Sequence, residues 1–197
     1  MKSSRGHILG SSILALAFLF STAVAADPAA SLIPSLGPDG REVSAKSAKD
    51  HLIHGWVPND WDDNTEWAAV SVGYSKVTDV PEKVGVGLRI QVENIEEGQM
   101  QLTSYAGLRS YSPGRIYSVT GWVRSPQHLP ITVAARQAGE PYESYHEQDI
   151  ETDTEWKEFA FEFAPKKEIQ ALIMFFVKKV GIVDLAGVVV KDEGSAN

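Results

Sequence analysis

Three carboxylates in the stretch ETDTEWKEFAFEF have a spacing that could do chemistry. Glu151, Asp153 and Glu155 alternate, so on a β-strand all three would project from one face. Carboxylates on one face can supply the acid and the nucleophile of glycoside hydrolysis. Residues four apart on a strand, however, have α-carbons roughly 13 Å apart, and a retaining pair works with its carboxyl groups within about 5.5 Å. The strand signature itself begins only at Trp156. The acids therefore read as a solvated turn leading into a strand, with no catalytic residues, and hydrolysis by Glu151 and Glu155 stands as the alternative.

Other reactive groupings are sparse. Asp60, Asp62, Asp63 and Asn64 cluster in NDWDDN, but the EF-hand glycine and terminal glutamate are missing, so a hydrated acidic loop is the expectation. His51 and His54 lie three apart with no third ligand nearby. No nucleophile elbow, phosphate loop or zinc-protease helix motif occurs. Cysteine is absent, which excludes thiol nucleophiles and cysteine-held metals. No metal site and no cofactor are expected from these groups.

The chain opens with Lys2 and Arg5, an apolar run and the small-residue sequence Ala23-Val24-Ala25, the pattern of a cleaved signal peptide over residues 1–25. No later apolar run is long enough to span a membrane. The expected location is periplasmic or secreted. Taking Lys2 and Arg5 from the 18 basic residues leaves 16 against 26 acidic ones, a charge near −10. That balance repels nucleic acid and anionic lipid and suits a neutral or a cationic partner.

The elements that must position any site are strands. Residues 26–49, rich in Pro, Gly, Ser and Ala, are expected to form a flexible arm, with part of Ser31–Leu36 able to dock on a sheet edge. Beyond it, period-two alternation recurs in VGVGLRIQV, IYSVTGWVRS, ITVAARQ and KEFAFEF, while ALIMFFV is apolar on both faces, as suits a central strand. GIVDLAGVVVKD closes the pattern, with a bulge expected at Ala186-Gly187. Turn signals such as Ser112-Pro113-Gly114 separate the runs. Short alternating strands without an amphipathic helix predict an all-β fold over residues 50–193, an antiparallel two-sheet β-sandwich of jelly-roll type.

Strand order and local signatures give a more specific comparison. Gln99 and Gln101, the turn Pro113-Gly114, Tyr117, and the strand ending in Trp122 and Arg124 resemble CenC-type carbohydrate-binding modules. DTEWKEFAFEF and LIMFFVKKVGIVDLAGVVV resemble that family's later strands. The resemblance implies a jelly roll that binds poly- or oligosaccharide without cleaving it. It also implies a structural calcium, although the family's closing acidic stretch reads Leu185-Ala186-Gly187-Val188 here. The E-x-D-x-E spacing at Glu151 also matches laminarinase- and lichenase-like glycosidases, which place apolar residues where this chain has Thr152 and Thr154.

Saccharide binding would draw on aromatic faces for sugar C–H surfaces and on polar side chains for hydroxyls. Trp122 and Arg124 share the polar face of their strand, with Arg136 nearby if the next strand pairs simply, and Gln99 and Gln101 could complete a polar floor. The structural alternative is that Trp122 packs under a loop while Arg124 pairs with an acid. Of the two tryptophans in NDWDDNTEW, Trp61 is favoured as a stacking platform and Trp67 as a strand start. Tyr142 and Tyr145 form a further aromatic pair. Trp56 and Trp156 are expected in the core. The candidate ligand-binding residues are thus Trp122, Arg124, Arg136, Gln101, Trp61, Tyr142 and Tyr145. A neutral glycan is the expected partner, with other exported proteins as possible associates. A jelly roll that serves only as a protein-docking scaffold is the other alternative.

Overall fold

The computed structural model describes residues 31–34, 36–82, 84–104 and 108–195. The expected signal peptide lies outside the described residues. Among the described residues, thirteen strands form two sheets. The larger sheet runs in the order β1 (Gly40–Lys46), β2 (Leu52–Pro58), β4 (Ala69–Val77), β5 (Gly87–Glu97), β13 (Gly181–Ser195), β8 (Arg115–Arg124), β11 (Lys157–Phe163). The smaller runs β10 (Ser144–Ile150), β9 (Ile131–Gln137), β12 (Ile169–Val177), β6 (Met100–Thr103), β3 (Asp62–Asp63), with β7 (Arg109–Tyr111) also paired to β12. The two sheets form the expected β-sandwich. One pair departs from the antiparallel rule: β2 and β4 run parallel.

Alternation explains which face each strand buries. In β8 the buried residues Tyr117, Val119 and Val123 alternate with partly exposed Ser118, Thr120, Trp122 and Arg124. Phe159, Phe161 and Phe163 of β11 point inward and meet aromatic rings of the other sheet. Phe159 lies edge-on to Phe175 at 6.0 Å between centroids, Phe161 stacks on His146 at 4.7 Å, and Phe163 meets Tyr111 at 5.1 Å. These contacts close the two layers over one apolar core. The bulge anticipated in the last strand is present: register slips between Ala186 and Val189, and Gly187 takes a left-handed φ of 57°.

The flexible arm expected over residues 26–49 is corrected at Gly40–Lys46, while the docking allowed for Ser31–Leu36 is present, into the core rather than only on a sheet edge. Gly40–Lys46 forms β1, paired along its length with β2, and Ile33 and Leu36 are buried in the core. Their apolar side chains and the Gly40 position explain the docking: a Cβ at Gly40 would fall 2.3 Å from the Trp56 ring, so only glycine lets this strand lie flat there. The scattered Pro and Gly of this stretch hide a strand whose partner is an edge. Trp156 is also not core. It is half-buried outside the sandwich, with the Arg124 guanidinium 4.5 Å from its ring and its indole N–H donated to the Asp79 carbonyl.

A cleft on the outer face of the smaller sheet

The ladder of β6, β12 and β9 builds the floor of the candidate site. Thr103 lies opposite Met174 and Met174 opposite Ala134; Gln101 lies opposite Phe176; Leu172 lies opposite Arg136. Their chain neighbours Leu102, Ile173, Phe175, Val133 and Ala135 fill the core, so these side chains point away from it. The result is an apolar strip along β12, edged by polar residues. Ala134, Leu172, Met174 and Phe176 form a cluster of their own, separate from the sandwich interior.

A cleft of about 680 Å³ opens over this strip, lined by Gln99, Gln101, Arg136, Tyr142, Leu172 and Met174 with others. An adjoining lobe of about 640 Å³ is lined by Asp62 and Glu66. Asn64, Trp67 and Thr103 line both, so Trp67 stands where the two volumes meet.

The loop between β3 and β4 holds Trp67 in place. The Asp63 carboxylate accepts hydrogen bonds from the Thr65 amide at 2.7 Å, the Thr65 hydroxyl at 2.9 Å and the Tyr74 hydroxyl. Burial pushes the Asp63 carboxyl above its ordinary range, and these donors offset part of that shift. Burial likewise drives the Tyr74 hydroxyl well up, which keeps it a donor. Asn64 is tied to β6 by its amide N–H to the Gln101 carbonyl at 2.8 Å and by its side chain to Gln101 Oε1 at 3.0 Å. Trp67 itself is 56 % exposed. Beneath it runs Gly98, whose left-handed φ of 84° turns β5 into β6 and whose missing side chain leaves room for the ring.

Across the cleft stands Tyr142, 50 % exposed. Its backbone φ of 56° is uncommon for an aromatic residue, and its amide bonds the Gly139 carbonyl at 2.8 Å. Arg136 braces it: Nε donates to the Tyr142 carbonyl at 3.0 Å, and the guanidinium lies 5.5 Å from the ring. Among the described residues no carboxylate pairs with Arg136, so its remaining N–H groups stay available to the cleft.

Gln101, Arg136 and Tyr142 are therefore brought together in one cleft, and the four other candidates lie outside it. Trp61 is 0 % exposed, tilted against Phe175 at 5.9 Å and bonded through Nε1 to the Pro34 carbonyl. It is a core residue, and Trp67 takes the exposed position. Tyr145 is half-buried against the sandwich core, with its hydroxyl donated to Gln137 Oε1. Trp122 and Arg124 lie on the outer face of the other sheet, on the opposite side of the molecule. Val84 and Trp122 close over Gly187 there. Arg124 pairs with Asp184 and Asp79 at 2.9 Å each. The simple register that placed Arg136 beside Trp122 fails because β8 and β9 belong to different sheets.

Glu151 and Glu155 are exposed on the connection between β10 and β11, and the strand starts at Lys157. The acids occupy the turn that their spacing and flanking threonines suggested. In the acidic loop, Asp62 pairs with Arg41 and Asp63 is engaged by Tyr74 and Thr65.

A sequence profile of the carbohydrate binding domain family CBM_4_9 matches residues 59–181, more than half of the chain. The chain belongs to that family. No curated protein matches this sequence. Among solved structures, a CBM4 module superposes with a TM-score of 0.51 at 16 % identity, covering 68 % of this chain and 86 % of that one. The enzymatically active domain of tailspike protein 4 from bacteriophage CBA120 superposes with a TM-score of 0.52 at 15 % identity, covering 68 % of this chain and 19 % of that one. At such identities the likeness is one of fold.

As a member of a carbohydrate binding family, the chain has a β-sandwich suited to a sugar-binding, non-catalytic role. The closing stretch offers no free carboxylate for the calcium that the resemblance implied. Leu185, Ala186 and Val188 are buried and apolar, and the neighbouring carboxylate, Asp184, is fully committed to the guanidinium groups of Arg89 and Arg124. Among the described residues, no helix is long and apolar enough to cross a membrane.

Sequence reasoning missed Trp67 and the strip of Leu172, Met174 and Phe176. The signal was present in ALIMFFV. A strand apolar on both faces in a two-layer sandwich has only one layer to pack against, so its second face marks a cleft or an interface.

Proposed function

We propose that the protein is an exported, non-catalytic binder of a neutral poly- or oligosaccharide, held in the cleft between Trp67 and Tyr142. One observation carries this reading: two half-exposed aromatic rings flank a floor edged by Gln99, Gln101, Asn64 and Arg136. Aromatic faces cover the C–H surfaces of pyranose rings while amides and a guanidinium bond the hydroxyl rim. No covalent step is involved. Affinity is modest and changes little with salt, because the ligand carries no charge. The amino-terminal Lys2, Arg5 and Ala23-Val24-Ala25 pattern supports export, where the protein meets polysaccharide either alone or beside other exported proteins.

Titration calorimetry of the purified mature protein against soluble neutral glycans tests the proposal. Saturable binding to at least one glycan, lost in Trp67→Ala, is the expected result. Release of reducing sugar that disappears on replacing Glu151 or Glu155 would instead support the hydrolase alternative.

A further inference from the structure

The apolar strip on β12 is not something a sandwich requires. The outer face of the larger sheet carries Arg89, Arg124 and Asp184 at comparable central positions. On the smaller sheet Leu172, Met174 and Phe176 occupy the centre, and none of them offers a donor or a strong acceptor to a sugar hydroxyl. The polar partners sit beside the strip, on β6. Thr103 is in register with Met174, which places their side chains in contact distance. It is 1 % exposed, lines both lobes, and its hydroxyl has no hydrogen-bond partner among the described residues. Buried hydroxyl groups are rarely left so. Gln101 uses Oε1 to accept from Asn64, and its Nε2 donates to no described residue. A methyl-sized apolar surface therefore adjoins unused donors.

Building on the saccharide reading above, we propose that the cleft selects acyl-substituted saccharides. The acyl methyl lies on Met174 and Leu172, and the acyl carbonyl accepts from Thr103 and Gln101. An unsubstituted hydroxyl at that place would forfeit its hydrogen bonds to the strip, whereas an acyl group is apolar where the strip is apolar and accepts where the donors lie. O-acetyl esters and N-acetyl amides present the same methyl and carbonyl, so either could be the source.

Calorimetry with two matched pairs separates the sources. One pair is acetylated xylo-oligosaccharides and the same material after mild alkaline deacetylation. The other is N-acetylglucosamine oligomers and their deacetylated counterparts, measured at raised salt to suppress attraction between the ammonium groups and this acidic protein. An acylated ligand is expected to bind about tenfold tighter than its own deacylated form, the worth of one buried methyl plus part of a hydrogen bond. The pair that shows the difference identifies the linkage. Thr103→Val, which keeps the shape and removes the unpaired hydroxyl, is expected to leave the thermal midpoint unchanged or higher while reducing the acyl preference severalfold. Met174→Gln is expected to reduce it too.

Equal affinity within both pairs overturns this inference and leaves saccharide binding intact. Failure of all four ligands overturns it as well, and the neutral glycan panel then decides separately whether the saccharide reading stands. An undiminished preference in Thr103→Val contradicts the assigned role of the hydroxyl.

Discussion

Arg124 donates Nε–H to Oδ2 of Asp184 at 2.9 Å, on the side of the molecule opposite the cleft. Asp184 is 0 % exposed, and Arg89 engages both of its oxygens, at 2.8 and 3.0 Å. This cluster joins β5, β13 and β8 and ties the three strands together. Removing the carboxylate would leave two guanidiniums facing each other. Asp184→Ala is expected to cost about 1–3 kcal/mol in denaturant unfolding, because the guanidiniums it leaves are partly exposed and Arg124 keeps Asp79, with glycan affinity per folded molecule unchanged.

The two tryptophans of the β3–β4 region separate stability from binding. Trp61→Ala opens a cavity against Phe175 and is expected to cost about 3–5 kcal/mol. Trp67→Ala removes an exposed ring and is expected to change stability by less than about 1 kcal/mol while abolishing saturable binding. Chemical denaturation and calorimetry on both variants check the pair. The opposite pattern would return Trp61 to the site.

Gly98 links backbone conformation to the site. An added Cβ would lie 2.7 Å from the Ala68 side chain and 3.1 Å from the Trp67 ring, at a φ that disfavours any L side chain. Gly98→Ala is expected to destabilise by more than about 1 kcal/mol and to weaken glycan binding as well, because Trp67 must move. A loss of stability with unaltered affinity in the folded fraction would show that the ring does not depend on this turn.

Asp63 gives a pH signature. Its carboxyl is pushed up by burial, so the folded state favours the protonated form. The contribution to stability is fully present below the unfolded value and is lost as pH rises through the folded value. Measured against Asp63→Asn, which keeps one of the two acceptor oxygens and does not ionise, the native protein should lose relative stability from about pH 4 upward and level off once Asp63 is ionised. A difference that stays constant from about pH 3 to pH 8 would contradict the shift.

The fold was legible because period-two alternation is a direct consequence of strand geometry. KEFAFEF and IYSVTGWVRS assign their own inner and outer faces, and the bulge at Gly187 follows from a glycine inside an alternating run. The site was legible only in part. Gln101, Arg136 and Tyr142 could be named from residue type, but alternation says which residues share a face, not which sheet that face belongs to. Trp122 and Arg124 satisfy every local criterion of a binding face and lie on the larger sheet, away from the cleft. Trp61 and Trp67 are six residues apart in a polar loop, and what decides between them is remote: Phe175 and Pro34 enclose one, while Gly98 supports the other from beneath. Such long-range partners leave no local pattern.

Saccharide is expected to bind over β12 on the smaller sheet and not over β8 on the larger. Calorimetry of Trp67→Ala and Trp122→Ala side by side, each confirmed folded and titrated with a glycan that the native protein binds, tests it most directly. Binding is expected to vanish in Trp67→Ala and to persist within about twofold in Trp122→Ala. Loss of binding in Trp122→Ala with retention in Trp67→Ala would contradict it.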